Sequence, residues 1–387
     1  MNKVTTFALS EIDTETPGAR LTLYMPAHTY STSEVLQEDT TRFKNALRDA
    51  EHQWEKLDGE KMPEPLRTKL YAMLNDESFW GRGAAGLALL AHENDIQVFD
   101  MPFECEQLVC VDADYDMTPL YAAAKYNQEY YVLALARHTP KLFKADAYDV
   151  TYVDIDLPES IEKALNIDEM FANSNTQRGL EGVRGSERGV SMHGSGDSSE
   201  AGAQERMQFL KMIDTAITHA NQVDTSLPLV IAATDSEAGD FRQLTSWPNL
   251  ASEYVAGNYT KADCPTLHAK TWPIIKEDII DSEVTRLIES YAENKGVQKA
   301  SSNPDDIYEA AKAGRVDTLL IGAIDETHDT VADVAMQEHA LFRFGDEYDQ
   351  ARIAKLVRMI VEHGGKVMAT TRERLAQPSR VVALYRY

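Results

Sequence analysis

Apolar and polar residues follow two different periods along this chain, and each period predicts one kind of element. Short apolar runs bounded by turn residues predict strands at 19–25, 130–136 and 227–233. Apolar residues spaced three and four positions apart predict amphipathic helices over 34–57 and 204–222. Strands and helices that alternate in this way are typical of an α/β protein with a mixed or partly parallel sheet.

The same pattern divides the chain into three predicted domains. We expect domain one at 1–127, domain two at 128–262 and domain three at 263–387, each of ordinary domain size. Further elements are predicted as helices over 65–74, 237–244, 272–294, 305–313 and 350–363, and as strands over 85–90, 97–100, 141–145, 149–155, 318–321, 366–369 and 380–387.

Between residues 173 and 203 the periodicity disappears. This stretch holds seven glycines and many serines, and its only large apolar residues are Leu180, Val183, Val190 and Met192. Such a composition cannot bury enough apolar surface to fold alone. The sequence therefore predicts a long exposed loop, rich in glycine, serine and arginine, within domain two.

Composition narrows the class of protein. The 387 residues carry a formal net charge of −25, and a surface this acidic repels phosphate at long range, so a generic nucleic-acid binder is excluded. Three widely spaced cysteines do not suit a disulfide framework or a closed zinc site. With no secretory or membrane-spanning pattern, we expect a cytoplasmic protein with no membrane partner, metal or cofactor.

Several motifs match the residue pattern of a known kind of site but lack the flanking elements or residues that such a site requires. Residues 81–86 match the glycine pattern of dinucleotide-binding turns, but a helix is predicted before them and a strand after, so a structural turn is expected. Gly364 is expected to end a helix rather than bind phosphate. Asp112, Asp114 and Asp116 alternate as calcium ligands do, yet the loop lacks the required glycine and glutamate, which favours an exposed acidic turn.

The loop also carries a local positive charge. Arg178, Arg184 and Arg188 stand against Glu181 and Glu187 between residues 173 and 196. Arginine offers forked donors to phosphate, and glycine lets a backbone approach RNA closely. Composition alone favours the simpler alternative, a surface insertion with no binding role.

Sequence features in chain order resemble a known family over nearly the whole length. These features are Leu21–Pro26, Gly86-Leu87-Ala88-Leu89, Tyr131–Ala136 with Leu142-Phe143, His193-Gly194-Ser195-Gly196 before the helix with Phe209, Ile213 and Asp214, then Asp317–Ile321 and Val381–Tyr387. Together they resemble the bacterial relatives of the archaeal and eukaryotic peptide-chain release factor and Pelota superfamily.

The resemblance implies a three-domain, release-factor-like α/β fold. Its middle domain would be ribonuclease-H-like and its C-terminal domain similar to the ribosomal protein L7Ae fold. It also implies binding in the ribosomal A site, with rRNA and the tRNA site as partners and domain two reaching toward the peptidyl-transferase centre. A translational GTPase is a further candidate partner. At the peptidyl-transferase centre, release factors use a Gly-Gly-Gln tip to place water on the peptidyl-tRNA ester.

This chain departs from that tip. Asp197 and Ser198 follow Gly196, and the nearest glutamine, Gln204, lies at the start of the next helix. An aspartate brings negative charge into a site crowded with phosphate. Domain one also lacks the Asn-Ile-Lys-Ser element of release factors. Peptide release and stop-codon reading are therefore not expected.

We therefore predict a translation factor that occupies the A site in rescue or hibernation and is not an enzyme. Two alternatives stay open. One is a hydrolase of peptidyl-tRNA or another RNA ester, with His193 or Asp197 as the catalytic group. The other is an adaptor whose acidic surface binds basic proteins. The predicted RNA-binding residues of the loop are Arg178, Arg184, Arg188, His193, Gly194, Ser195 and Gly196.

Overall fold

The computed structural model describes residues 2–14, 16–28, 33–80, 84–93, 95–164, 200–325, 342–343, 347–375 and 379–387. The helices are α1 (Thr6–Ser10), α2 (Ser33–Asp58), α3 (Glu64–Ala72), α4 (Glu77–Trp80), α5 (Thr118–Tyr126), α6 (Ile161–Ala164), α7 (Glu200–His219), α8 (Asp235–Leu244), α9 (Cys264–Ile275), α10 (Ser282–Asn294), α11 (Pro304–Lys312), α12 (Glu347–Glu362) and α13 (Arg372–Leu375). The strands are β1 (Asn2–Lys3), β2 (Arg20–Pro26), β3 (Gly86–His92), β4 (Asp95–Met101), β5 (Leu108–Asp112), β6 (Tyr130–Ala134), β7 (Lys141–Ala145), β8 (Val150–Val153), β9 (Leu229–Ala233), β10 (Leu250–Ala256), β11 (Ala300–Ser301), β12 (Val316–Asp325), β13 (Phe342–Arg343), β14 (Lys366–Thr371) and β15 (Val381–Tyr385).

These elements form three sheets in two compact units. The first unit joins Met1–Asn127 with Asp281–Tyr387, and the second is Gln128–Ile280. Residues 263–280 are grouped with the second unit, whereas the sequence predicts them at the start of domain three. Among the described residues, no helix combines the length and apolar character that a membrane crossing requires.

The N-terminal sheet of the first unit has the order β1-β4-β3-β2-β5. Strand β3 pairs antiparallel with both β2 and β4, as the sequence predicts for 85–90 and 97–100. All seven residues of β3 are buried, because its two faces meet different cores. Leu87 and Leu89 face the core that includes α2, while Ala88 and Leu90 face the core that includes α1 and α5. Burial on both faces explains why this strand is apolar throughout.

Helix α2 covers one face of this sheet through a single apolar stripe. Phe43, Leu47, Ala50 and Trp54 lie at three- and four-residue spacings and are all buried. Phe43 also contacts the ring of Trp80 at a centroid distance of 5.4 Å, nearly edge to face. The helix predicted over 34–57 is thus confirmed, together with the reason for its amphipathic pattern.

The C-terminal sheet of the first unit is built around β12. This strand pairs parallel with β14 and antiparallel with β15 and β13, and β11 pairs with β15. Helices α11 and α12 supply buried residues to the core on one face, and α10 supplies residues to the core on the other. The sheet therefore has helices on both sides.

Glycines close helix α12 as the sequence predicts. Gly364 has a φ of 71°, a left-handed conformation that favours glycine. Its N–H donates to the carbonyl of Val361 over 2.8 Å, and Gly365 N–H donates to Ile360 over 2.8 Å. A Cβ on Gly365 would lie 2.5 Å from Ile360 Cγ2, so this residue must also be small. Gly364 is a helix terminator.

The second unit contains a five-stranded mixed sheet with the order β10-β9-β6-β7-β8. Strands β6, β7 and β8 are antiparallel neighbours, whereas β9 and β10 run parallel to β6. Every residue of β6 and β9 is buried. Helices α7 and α8 supply one core and α9 supplies the other. The α/β class with a mixed sheet is thereby confirmed.

Three predictions need correction or comment. The helix predicted over 272–294 is part of a longer helical region, in which α9 and α10 are joined by a π-helical turn, Lys276–Asp281. The exposed acidic turn is wrong for Asp116, which is only 5% exposed because Tyr24 Oη donates to its carbonyl and its own N–H donates to Thr22. Residues 81–83 lie outside the described part, but α4 precedes them and β3 follows, as predicted.

Candidate functional site

The predicted functional loop belongs to the connection between β8 and β9. Residues 165–199 lie outside the described residues. The candidate site residues are therefore not described: Arg178, Arg184, Arg188, His193, Gly194, Ser195, Gly196 and Asp197. What the structure does describe is the part of the second unit where this connection leaves the sheet and returns to it. We call residues 155–164 and α7, together with their contacts, the frame.

The outgoing side of the frame is held to the turn after β6. Ile161 N–H donates to the carbonyl of Arg137 over 3.3 Å, and Thr139 N–H donates to Glu159 over 2.6 Å. Ile161 is 9% exposed and belongs to the same core cluster as Phe209 of α7. Helix α6 thus begins at a fixed point, set by backbone hydrogen bonds and by one buried side chain.

The returning side of the frame is helix α7. Phe209, Leu210, Ile213 and Ile217 are buried, at spacings that place them along one helical face. Arg206, one turn nearer the loop, donates from Nε to Asp240 of α8 over 2.6 Å. Both partners are about a quarter exposed, so this ion pair is neither fully solvated nor buried. It holds the loop end of α7 against α8.

A buried carboxylate joins the same helix to the segment before β10. Asp214 is 6% exposed. It accepts from Thr245 Oγ1 over 2.6 Å, from Ser246 Oγ over 2.9 Å and from Ser246 N–H over 3.2 Å. A buried charge with this many donors is stabilised without a cationic partner. Asp214 therefore sets the position of α7 relative to the end of α8.

Charges on the frame are largely compensated within it. Lys163 forms an ion pair with Glu159, one turn earlier, and its hydrogen bond lowers the pKa of that exposed carboxyl. The pKa of Glu162 is also lowered, chiefly by a hydrogen bond from its own backbone N–H. His138 Nδ1 lies 3.7 Å from the same carboxylate. Lys163 and Arg206 are thus both paired with carboxylates of the second unit.

The described residues offer no metal centre near this frame. No group of three or more His, Cys, Asp or Glu side chains suitable for a metal ion occurs among them. The contacts of the frame fix where the two ends of a glycine-rich connection leave and re-enter the sheet, which is how scaffolds carry functional loops.

The contacts that position the frame were not predicted from the sequence. Asp214 was visible only as a member of a predicted helix, and the link from Arg206 to Asp240 spans 34 residues. One signal was available for Asp214. Asp214 directly follows Ile213 and precedes Ile217 by three positions, so it stands next to the apolar side of the helix, where an ionised group requires partners.

A family model matches the part of the chain that contains this frame. Residues 129–315 match Bacterial archaeo-eukaryotic release factor family 3, which is just under half of the chain. No curated protein matches.

Among solved structures, Pelota of Archaeoglobus fulgidus is similar at 12% identity and a TM-score of 0.32, covering 79% of this chain and 80% of that one. Dom34 of S. cerevisiae, a translation termination-like factor that interacts with Hbs1, is similar at 12% identity and a TM-score of 0.37, covering 73% and 74%. Ribosome-bound archaeal Pelota with ABCE1 is similar at 11% identity and a TM-score of 0.35, covering 100% and 95%.

The class of protein follows from the fold and the family match together. It is an α/β protein whose second unit carries a long insertion in the crossover between two strands of a mixed sheet. The predicted resemblance to the bacterial relatives of the archaeal and eukaryotic release factor superfamily is confirmed for residues 129–315, the part of the chain that the family model matches.

Proposed function

We propose that this protein is a cytoplasmic, ribosome-associated translation factor that occupies the A site in rescue or hibernation without releasing peptide. The observation that carries the proposal is the match of residues 129–315 to a family named for release factors. This region contains the frame and the whole arginine-bearing loop. Its partners would be rRNA and the tRNA site.

Charge placement supports a role for the loop in contacting RNA. The chain carries −25 overall, and two cations of the frame are committed to Glu159 and Asp240. Arg178, Arg184 and Arg188 lie close together in the sequence of the loop, and we propose that they contact phosphate. Because ions screen charges beyond about 10 Å, a basic segment can bind RNA even on an acidic protein.

The domain assignments belong to the same proposal. Three antiparallel strands followed by two parallel strands, joined through helices, support a ribonuclease-H-like second domain. A sheet with helices on both faces at the C-terminal end supports an L7Ae-like third domain. We retain 1–127, 128–262 and 263–387 as the proposed domains. A translational GTPase is a further candidate partner in this proposal.

Ribosome co-sedimentation of matched variants tests the proposal. In one variant Arg178, Arg184 and Arg188 are replaced by Ala. In its control, Lys56, Lys61 and Lys261, which are exposed on the described fold, are replaced by Ala. Both variants lose three positive charges, so long-range repulsion from the ribosome is the same in both.

We expect the arginine variant alone to lose ribosome binding and to show a shallower salt dependence, because fewer phosphate contacts release fewer counterions. Equal binding by the two variants would contradict a role for the loop. Binding that survives RNase digestion of the ribosome and is unaffected by the loop variant would instead support the adaptor alternative.

A further inference from the structure

A cleft in the first unit lies between α11, α12 and the first residues of β15. Its volume is about 640 Å³, within the range of about 300–1,000 Å³ that is usual for small-molecule sites. None of its lining residues belongs to the loop or to the frame. Its lining residues have no part in the proposed function.

The rim of this cleft is cationic, although the protein is strongly acidic. Arg352, Lys355 and Arg380 line it, against one carboxylate, Asp305. Arg352 Nη2 donates to Asp305 over 3.1 Å, but both side chains are mostly exposed, so this pair is weak and readily exchanged. The described lining residues therefore carry a formal charge of +2, whereas the whole chain carries −25.

The backbone of Arg380 is held by a hydrogen bond, whereas one nitrogen of its guanidinium has no hydrogen-bond partner among the described residues. Its carbonyl accepts from Gly322 N–H over 2.7 Å, which fixes the backbone at the start of β15. Its Nη1 is buried and has no hydrogen-bond partner among the described residues. A buried donor without a partner is unfavourable. Arg380 therefore brings to the lining of the cleft a guanidinium that has an unpaired N–H among the described residues.

The floor of the cleft is apolar. Ile353, Leu356 and Val381 line it and are buried, and the half-buried ring of Tyr308 adds an aromatic surface. A bare inorganic anion would leave this floor uncovered. A ligand that fits both parts carries a phosphate for the rim and a flat apolar group for the floor. Bases of every kind stack favourably on aromatic side chains.

We propose that this cleft binds a nucleoside phosphate, either as a free nucleotide or as one nucleotide of an RNA. Arg380, Lys355 and Arg352 hold the phosphate, and Tyr308 with the apolar floor holds the base. The proposal does not depend on ribosome binding or on the loop, since it concerns different residues and a ligand that can be tested on the protein alone.

Isothermal titration of the full chain with AMP, adenosine, inorganic phosphate and a 5′-phosphorylated tetranucleotide RNA tests this inference. We expect saturable binding of AMP, with adenosine and phosphate each at least roughly tenfold weaker, because each lacks one half of the recognition. Tighter binding of the RNA than of AMP would assign the site to RNA. Equal or weaker binding would assign it to a free nucleotide.

Charge-matched variants localise the binding. Arg380→Gln and Lys355→Gln are expected to weaken AMP binding by roughly tenfold or more, since each removes a charge-assisted contact. Lys366→Gln is the control, because Lys366 is exposed and outside the cleft, and it should leave the affinity within about twofold. Thermal melting checks that each variant is folded. Absence of AMP and RNA binding in the millimolar range, binding of phosphate as tight as AMP, or equal losses in all three variants would overturn the proposal.

Discussion

The hydrogen bonds of Asp214 predict how much its replacement destabilises the second unit, because its carboxylate joins α7 to the segment before β10. We consider Asp214→Ala. The substitution removes an acceptor of three donors, namely two hydroxyl groups and the N–H of Ser246. A hydrogen bond to a charged group contributes about 1.5–3 kcal/mol. Ser246 is exposed, so its donors can bind water once the carboxylate is gone, and the full sum does not apply.

We therefore expect Asp214→Ala to destabilise the second unit by about 3 kcal/mol, and Asp214→Asn by about half as much because an amide oxygen still accepts. Asp156→Ala is the control. Asp156 is exposed in the same unit, and its replacement changes the net charge by the same amount. Its effect should lie within about 0.5 kcal/mol.

Hydrogen exchange followed by mass spectrometry is the suitable assay, because the protein has two units and unfolding of the whole chain need not be a single transition. Peptides from α7 and from 235–256 should open roughly 150-fold more often in Asp214→Ala, while peptides from the first unit should be unchanged. A loss below about 1 kcal/mol in the second unit would refute the reasoning that this carboxylate sets the position of α7.

The remaining predictions concern a glycine cap, a charged cap and the chemistry of the loop. Gly364→Ala should lower the free energy of unfolding by about 1 kcal/mol, because alanine is strained at the positive φ of this position. Gly239→Ala is the control, since Gly239 lies in a helix with open space around it and its replacement should not lower stability. Thermal melting compares the two variants, and equal effects would contradict the assignment of Gly364 as a helix cap. The pKa of Asp263 is lowered by a hydrogen bond from the side chain of Thr266, so its cap on α9 is complete above about pH 4 and lost as pH falls through the folded pKa. Opening of α9, measured as exchange relative to the intrinsic rate at each pH, should therefore increase at low pH in the native chain but not in Asp263→Asn, and an equal increase in both would argue against this cap. We expect no peptide release from loaded ribosomes, whereas hydrolysis that is lost in His193→Ala would support the hydrolase alternative.

Elements with one strong periodicity could be predicted from the sequence. Strands β6 and β9 are buried on both faces and read as unbroken apolar runs, and α2 and α7 show one apolar face. Strand β10 was not predicted, because Ser252 and Glu253 are exposed in its middle and interrupt the apolar pattern. The start of α9 was not predicted, because a proline inside a segment usually argues against a helix. Pro265 lies in the first turn of α9, where its missing N–H has no partner in any case and proline is tolerated.

Pairing and tertiary contacts were beyond the sequence patterns. Strand β6 pairs with β9 across the whole insertion, with Leu133 opposite Ile231, and nothing local in either strand specifies this neighbour. The burial of Asp116 likewise depends on Thr22 and Tyr24, far away in the sequence. The candidate loop was recognisable from composition alone, whereas the contacts of its frame require the folded sheet.

The central claim is that residues 173–203 enter the A site of the ribosome and contact RNA there. A single-particle density map of the full chain bound to ribosomes tests this claim most directly. The account predicts density for the second unit in the A site, with the segment that carries Arg178, Arg184 and Arg188 directed toward the peptidyl-transferase centre and peptidyl-tRNA intact. Density bound to ribosomal proteins away from the A site, with this segment touching no RNA, would contradict it.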